Sequence, residues 1–162
     1  MASRVLKRLG DAKGTSLIEA ALITPLFLVL TFSIADFGVL FYTYLALENG
    51  VSLASRYGVT GRQMDDPMNP GTPLSHQESL QEAMRQGTPT LKIPDCAFTF
   101  AHRAPGGGAW LAGAGGPGDL ERISVDYTYT TFTPWLVGMF FPPNGTVNLR
   151  VDSAMKNEGS FP

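Results

Sequence analysis

The chain from Thr15 to Leu47 reads TSLIEAALITPLFLVLTFSIADFGVLFYTYLAL, and few folds accommodate such a stretch. Ala20 to Ala35 carries no charge, Asp36 interrupts, and Phe37 to Leu47 is uncharged again. A helix that crosses a bilayer needs about 20 mostly apolar residues. Residues 20–45 supply them at the cost of one carboxylate. A lone span must also satisfy its own backbone in lipid, which a helix does. The pattern therefore predicts one membrane helix with Glu19 at its mouth. A buried helix of a water-soluble protein is the competing reading. Such a helix normally keeps a polar stripe, and 20–35 has none. A cleaved secretory signal is the second competitor. Its apolar region runs to about 7–15 residues and closes on a small-residue cleavage site; this run is longer and has no such close.

Charge is uneven along the chain although the formal net charge is only −2. The leader, residues 1–14, holds Arg4, Lys7, Arg8 and Lys13 against Asp11. Residues 58–162 hold seven basic and ten acidic side chains. Basic flanks stay in the cytoplasm, so the amino terminus is expected inside and the bulk of the chain across the membrane. No broad basic surface is present, which argues against nucleic acid as a partner. Pro25 falls in the first third of the apolar run, where it removes one helical donor. Ser16, Thr24, Thr31, Ser33 and Thr43 are small polar side chains suited to contact with another helix. Beyond the span, Leu47, Val51 and Ala54 share one face, with Gly58 next on it. The helix is expected over 15–61, with its membrane part at about 20–45.

The remainder, residues 62–162, reads as a small extracytoplasmic α+β head. Residues 62–75 contain three prolines and a glycine and read as a linker. Ser75 and Glu78 form a capping-box pattern that opens a short helix over 75–86. Residues 90–101 read as a first strand, either continuous or interrupted at Pro94, with Cys96 and Phe98 on one buried face. The glycine-rich stretch 103–118 carries Trp110 and reads as a mobile hairpin loop. It lacks both G-x-G-x-x-G and a G-K-[ST] ending, so it is no phosphate loop. Glu121 to Thr131 alternates strongly, with Ile123, Val125, Tyr127 and Tyr129 on one side. Phe132 to Phe141 is an apolar interlude, either a short helix or a turn. Thr146 to Met155 is a last strand. The fold class is thus α+β: a long amino-terminal helix, then a small antiparallel sheet of roughly three strands with a short helix.

No catalytic, metal or cofactor site emerges. His76 and His102 are the only histidines, and neither has ligand spacing to Cys96 or to a carboxylate cluster. No serine lies in a G-x-S-x-G context. The lone Cys96 has no intramolecular disulfide partner. Two carboxylates do stand out, because acids in hydrocarbon are costly and are normally paired, protonated or turned to protein. Asp36 lies about 25 Å from Glu19 at 1.5 Å per residue. It is placed either at the outer headgroup level or against a partner helix.

Lys13-Gly14-Thr15-Ser16-Leu17-Ile18-Glu19 followed by the apolar run resembles the processing signal of type IV prepilins. More closely, Gly14, Glu19, Pro25, Asp36-Phe37-Gly38 and Arg56-Tyr57 resemble the pattern of TadE-like proteins of the tight-adherence (Flp) pilus system. Thr133-Pro134 and Met155-Lys156-Asn157-Glu158 are similar to the tails of such proteins, though that part of the likeness is looser. The resemblance implies a pilin-like or pseudopilin-like, non-enzymatic protein of a bacterial envelope machine, in the inner membrane or in a surface pilus. It implies a prepilin peptidase that cuts between Gly14 and Thr15. It also implies other pilin subunits packed through their amino-terminal helices, an inner-membrane assembly platform and the lipid bilayer as partners. Glu19 would then meet the newly made ammonium, in the same chain or a neighbour. Thr15 departs from the Phe or Met common at the first mature position of major pilins. The head exceeds the size of major Flp pilins, which favours a minor or accessory subunit. An uncut bitopic anchor whose outer domain binds envelope partners, and a membrane-anchored enzyme, are the alternatives.

Overall fold

A computed structural model describes the backbone of residues 2–135, 138 and 145–158, with side chains from residue 14 onward. The leader's charged side chains and half of the Phe132–Phe141 interlude lie outside the described residues. Helix α1 spans Ala2–Val59 with Pro25 inside it. Helix α2 spans His76–Gly87, and a single 3-10 turn covers Asp95–Ala97. Strands β1 (Phe98–Arg103), β2 (Leu111–Ala112), β3 (Leu120–Thr130) and β4 (Thr146–Lys156) follow. The fold is α+β, a long helix followed by a short helix and a small antiparallel sheet, as the sequence predicts.

The chain divides into two compact units. One comprises 1–39 together with 131–145, and the other 40–130 together with 146–162. In the second unit the sheet order is β2-β1-β3-β4, all antiparallel. Strands β3 and β4 pair along their whole length, from Leu120 opposite Lys156 to Thr130 opposite Thr146. The short β2, drawn from the glycine-rich stretch, makes the sheet four-stranded among the described residues rather than three-stranded. Val125, Ile123 and Val151 are buried on the inner face of the sheet, as are Phe98 and Phe100.

The amphipathic end of α1 supplies the other wall of this core. Leu47, Val51 and Ala54 are fully buried, as their shared face predicts, and so are Leu80, Ala83 and Met84 of α2. Glycine sets how close the helices come. A Cβ on Gly87 would lie 2.9 Å from the Gly50 Cα, and one on Gly50 would lie 2.6 Å from the Thr88 Cγ2. Glycine weakens a helix interior by propensity alone, but in the fold Gly50 is the crossing point of α1 with the end of α2.

Local chemistry sets the ends of α2. The Ser75 hydroxyl receives the Glu78 N–H, and the Glu78 carboxylate receives the Ser75 N–H at 2.9 Å, a complete capping box. The Ser75 hydroxyl and N–H both hold the Glu78 carboxyl below its ordinary range. The preceding linker is tied rather than loose. Leu74 donates to the Met64 carbonyl at 2.7 Å, Asp66 donates to Thr72 at 2.9 Å, and the Met64 N–H reaches the Ser79 hydroxyl at 3.0 Å. Hydrogen bonds from Asn69 and Met68 lower the Asp66 carboxyl in that turn.

Two expectations need correction. The first strand starts at Phe98, not at 90, because the 3-10 turn occupies the residues just before it. That turn breaks the alternation, so Cys96 is exposed rather than buried beside Phe98. In the glycine-rich hairpin Trp110, next to β2, packs against two arginines. The Trp110 ring lies 5.2 Å from the Arg103 guanidinium and 4.2 Å from that of Arg122. Cation–π contacts of this kind contribute about 0.5–1 kcal/mol at exposed sites.

Candidate functional site

The helix from Gly14 to Leu28 has no inner face. Leu17, Leu22 and Leu26 are each more than two-thirds exposed, and Ile18, Ile23 and Phe27 are exposed on the other sides. None of its most apolar window is buried, and the segment is long and apolar enough to cross a membrane. A core helix of a water-soluble globule would hide such side chains, because each costs about 1.5–3 kcal/mol to leave in water. Two of its hydroxyls are already used. The Thr31 Oγ1 donates to the Phe27 carbonyl at 2.8 Å, and the Ser33 Oγ donates to the Val29 carbonyl at 2.7 Å. These bonds to the preceding turn let polar side chains sit in an apolar setting with no second helix.

Gly14, Thr15, Glu19 and Pro25 follow one another along this exposed helix, so the fold does not gather them into a pocket. A side chain at Gly14 would meet nothing within 4 Å. Glu19 is exposed, and no cation among the described residues pairs with it. A bare carboxylate on an apolar rod is the kind of group that a partner must neutralise.

Asp36 is different. It is only 4% exposed although Ile34 and Phe37 beside it are 65% and 67% exposed. Three donors converge on its carboxylate. The Phe132 N–H reaches Oδ1 at 2.6 Å and the Thr133 N–H reaches Oδ2 at 3.2 Å. The Thr133 hydroxyl also donates to Oδ2. The partner thus comes from the same chain, from the segment after β3. That segment is closed at its base, where Thr131 donates both its N–H (3.1 Å) and its hydroxyl (2.8 Å) to the Gly145 carbonyl. Gly145 has φ 72°, and a Cβ there would lie 2.5 Å from the Pro134 Cα, so glycine is required. Charge-assisted bonds such as these are roughly twice as strong as neutral ones. Asp36 and Thr133, 97 residues apart, belong to two separate pieces of the sequence pattern, and the fold joins them.

A second buried polar cluster lies in the other unit. Glu121 is 0% exposed. Its Oε2 lies 3.2 Å from the His76 Nε2 and accepts from the Asn157 Nδ2 at 3.1 Å. Asn157 also donates to the Gly116 carbonyl at 3.1 Å and, through its N–H, to the Asp119 carbonyl at 2.9 Å. Next to it the Glu158 N–H reaches the Val59 carbonyl at 3.0 Å, and its own carbonyl receives the Gly118 N–H at 2.7 Å. The Lys156-Asn157-Glu158 tail therefore latches the end of α1, the start of β3 and the start of α2. Sequence reading missed this cluster. His76 lies 45 residues from Glu121 and Asn157 lies 36 away, and only the acid inside an otherwise alternating strand hinted at it. The cluster latches chain segments together and presents no nucleophile. Among the described residues, no group of three or more His, Cys, Asp or Glu is placed to hold a metal ion.

Arg56 and Tyr57, the last residues of the amino-terminal pattern, line a cavity of ≈ 360 Å³ with Leu53, Arg62, Met64 and Gln86. Burial pushes the Tyr57 phenol above its ordinary value.

Compared with known families, residues 14–56 match the family model described as TadE-like protein. The match runs from Gly14 to Arg56 and takes in Glu19, Pro25 and Asp36-Phe37-Gly38, the residues that carry the sequence resemblance. No curated protein and no solved structure matches the chain.

Proposed function

We propose, from an amino-terminal segment that is TadE-like over residues 14–56, that this chain is a minor pilin or pseudopilin of a tight-adherence-type pilus. Its apolar helix crosses the bacterial inner membrane once, with the amino terminus in the cytoplasm and the α+β head outside. One observation carries the reading: the helix from 14 to 28 exposes apolar side chains all round, while the core of the head begins only at Leu47. Such a rod needs lipid or other helices around it.

In this reading a prepilin peptidase cuts between Gly14 and Thr15. The exposed Glu19, which pairs with no cation among the described residues, then receives the new Thr15 ammonium of a neighbouring subunit, and helix packing with other pilins replaces lipid. Pro25 frees a carbonyl one turn before it, which the packed helices re-satisfy. The assembly platform in the inner membrane would act on the same helices. The head acts by shape and surface contacts rather than by catalysis.

Amino-terminal sequencing of the protein from membranes and from sheared surface filaments tests this. Thr15 is the expected first residue in filaments; an intact leader on filament protein overturns processing. A second reading, an uncut single-pass anchor whose head binds envelope partners, is favoured by the continuity of α1 across Gly14 and Thr15. Replacing Gly14 by a bulky residue separates the two, because it blocks a processed pilin and leaves an uncut anchor unaffected.

A further inference from the structure

The segment held by Asp36 has no role in the function proposed above. It projects two aromatic side chains, Phe132 at 76% exposure and Trp135 at 67%. Thr131 to Thr146 contains no charged residue. We propose that the Phe132–Trp135 segment is a second membrane contact, an aromatic anchor seated in the lipid headgroup boundary and clamped there by Asp36. The proposal rests on the membrane reading of α1.

Three observations point to lipid as the occupant. The first is continuity: Ile34 and Phe37 flank Asp36 on α1 and are as exposed as Phe132 and Trp135, so the clamp joins one apolar surface to another. The second is depth. Asp36 lies about 24 Å along the helix from Ala20 at 1.5 Å per residue, close to the ~30 Å of a hydrocarbon core. Trp side chains concentrate at that boundary, where an apolar ring and a polar N–H are both accommodated. The third is polar satisfaction. Irregular backbone beside lipid is costly unless its N–H groups are paired. Asp36 takes the Phe132 and Thr133 N–H groups and the Thr133 hydroxyl, and the same bonds cover the carboxylate. Each half would be costly beside lipid alone, and each neutralises the other. Asp36 is thus a positioning residue for the anchor.

The test uses the full chain in vesicles of phosphatidylethanolamine and phosphatidylglycerol, with brominated acyl chains as fluorescence quenchers. The chain has two tryptophans, so Trp110→Phe isolates Trp135, and the loss of quenching in Trp135→Phe gives the same assignment without disturbing the Arg103–Trp110 contact. Bromines near the headgroups should quench Trp135 more than bromines deep in the chains. Asp36→Ala should reduce that quenching and shift the emission to the red. Thr133→Val, which removes only the hydroxyl, should do so more weakly. Resistance to carbonate extraction reports membrane integration independently. An integrated chain whose Trp135 is unquenched by lipid and open to acrylamide overturns the anchor and leaves the span standing. Trp135 shielded from both quenchers means that a second protein copy covers it, which also overturns the anchor. A chain released by carbonate overturns the membrane reading and the anchor together. Unchanged quenching in Asp36→Ala overturns the clamp.

Discussion

Glu121 and Asp36 are two buried acids that solve the same problem differently. Asp36 is covered by backbone donors, and no ring or cation is needed. Glu121 leans on side chains, His76 and Asn157, and its Oε1 has no hydrogen-bond partner among the described residues. An acid held by one oxygen at full burial is a sensitive point, since orphaning buried partners costs about 1–3 kcal/mol. Glu121→Ala should therefore lower head stability by about that amount and release the Asn157 latch. Glu121→Gln, which keeps an acceptor oxygen and the volume, should cost less. Thermal unfolding of the full chain in detergent, followed by circular dichroism, gives the order. Equal losses in the two variants would mean that the carboxylate itself, and neither its volume nor a single acceptor oxygen, is what Glu121 supplies.

Helices show which parts of the fold the sequence makes legible. The long apolar helix, the inward face of Leu47, Val51 and Ala54, and the Ser75–Glu78 capping box are local patterns, and each is found where its spacing places it. What stayed hidden depends on contacts between distant segments. Nothing near Cys96 announces that a 3-10 turn will precede β1, and nothing near Asp36 announces Thr133. Gly50 is the clearest case, because propensity and packing disagree there. Alanine gains about 0.5–1 kcal/mol over glycine in a helix interior. At Gly50, though, a Cβ would sit 2.6 Å from Thr88 and 3.1 Å from the Met84 Cγ. Overpacking costs typically about 1–3 kcal/mol, so Gly50→Ala should destabilise the chain. Gly38 has nothing within 4 Å, so Gly38→Ala should be neutral or slightly stabilising in the same thermal assay. If Gly50→Ala were the stabilising one, the close crossing of α1 and α2 would be wrong.

At the scale of the whole molecule, the asymmetry of charge and the position of the single thiol make one experiment decisive. Arg4, Lys7, Arg8 and Lys13 precede the span, whereas residues 58–162 are acidic on balance. Under the proposed single-pass reading, the positive-inside rule predicts that the head lies across the membrane. Cys96 is the only cysteine and is exposed, so the native chain carries its own topology reporter with no engineering of the head. A membrane-impermeant maleimide should label Cys96 in spheroplasts whose inner membrane is intact, and lysis should add little further label. Blocking with the impermeant reagent first should leave almost no thiol for a permeant one. Labelling that appears only after lysis would place the head in the cytoplasm. The positive-inside argument would then fail, and the Thr15 ammonium would lie on the wrong side of the membrane for a periplasmic fibre.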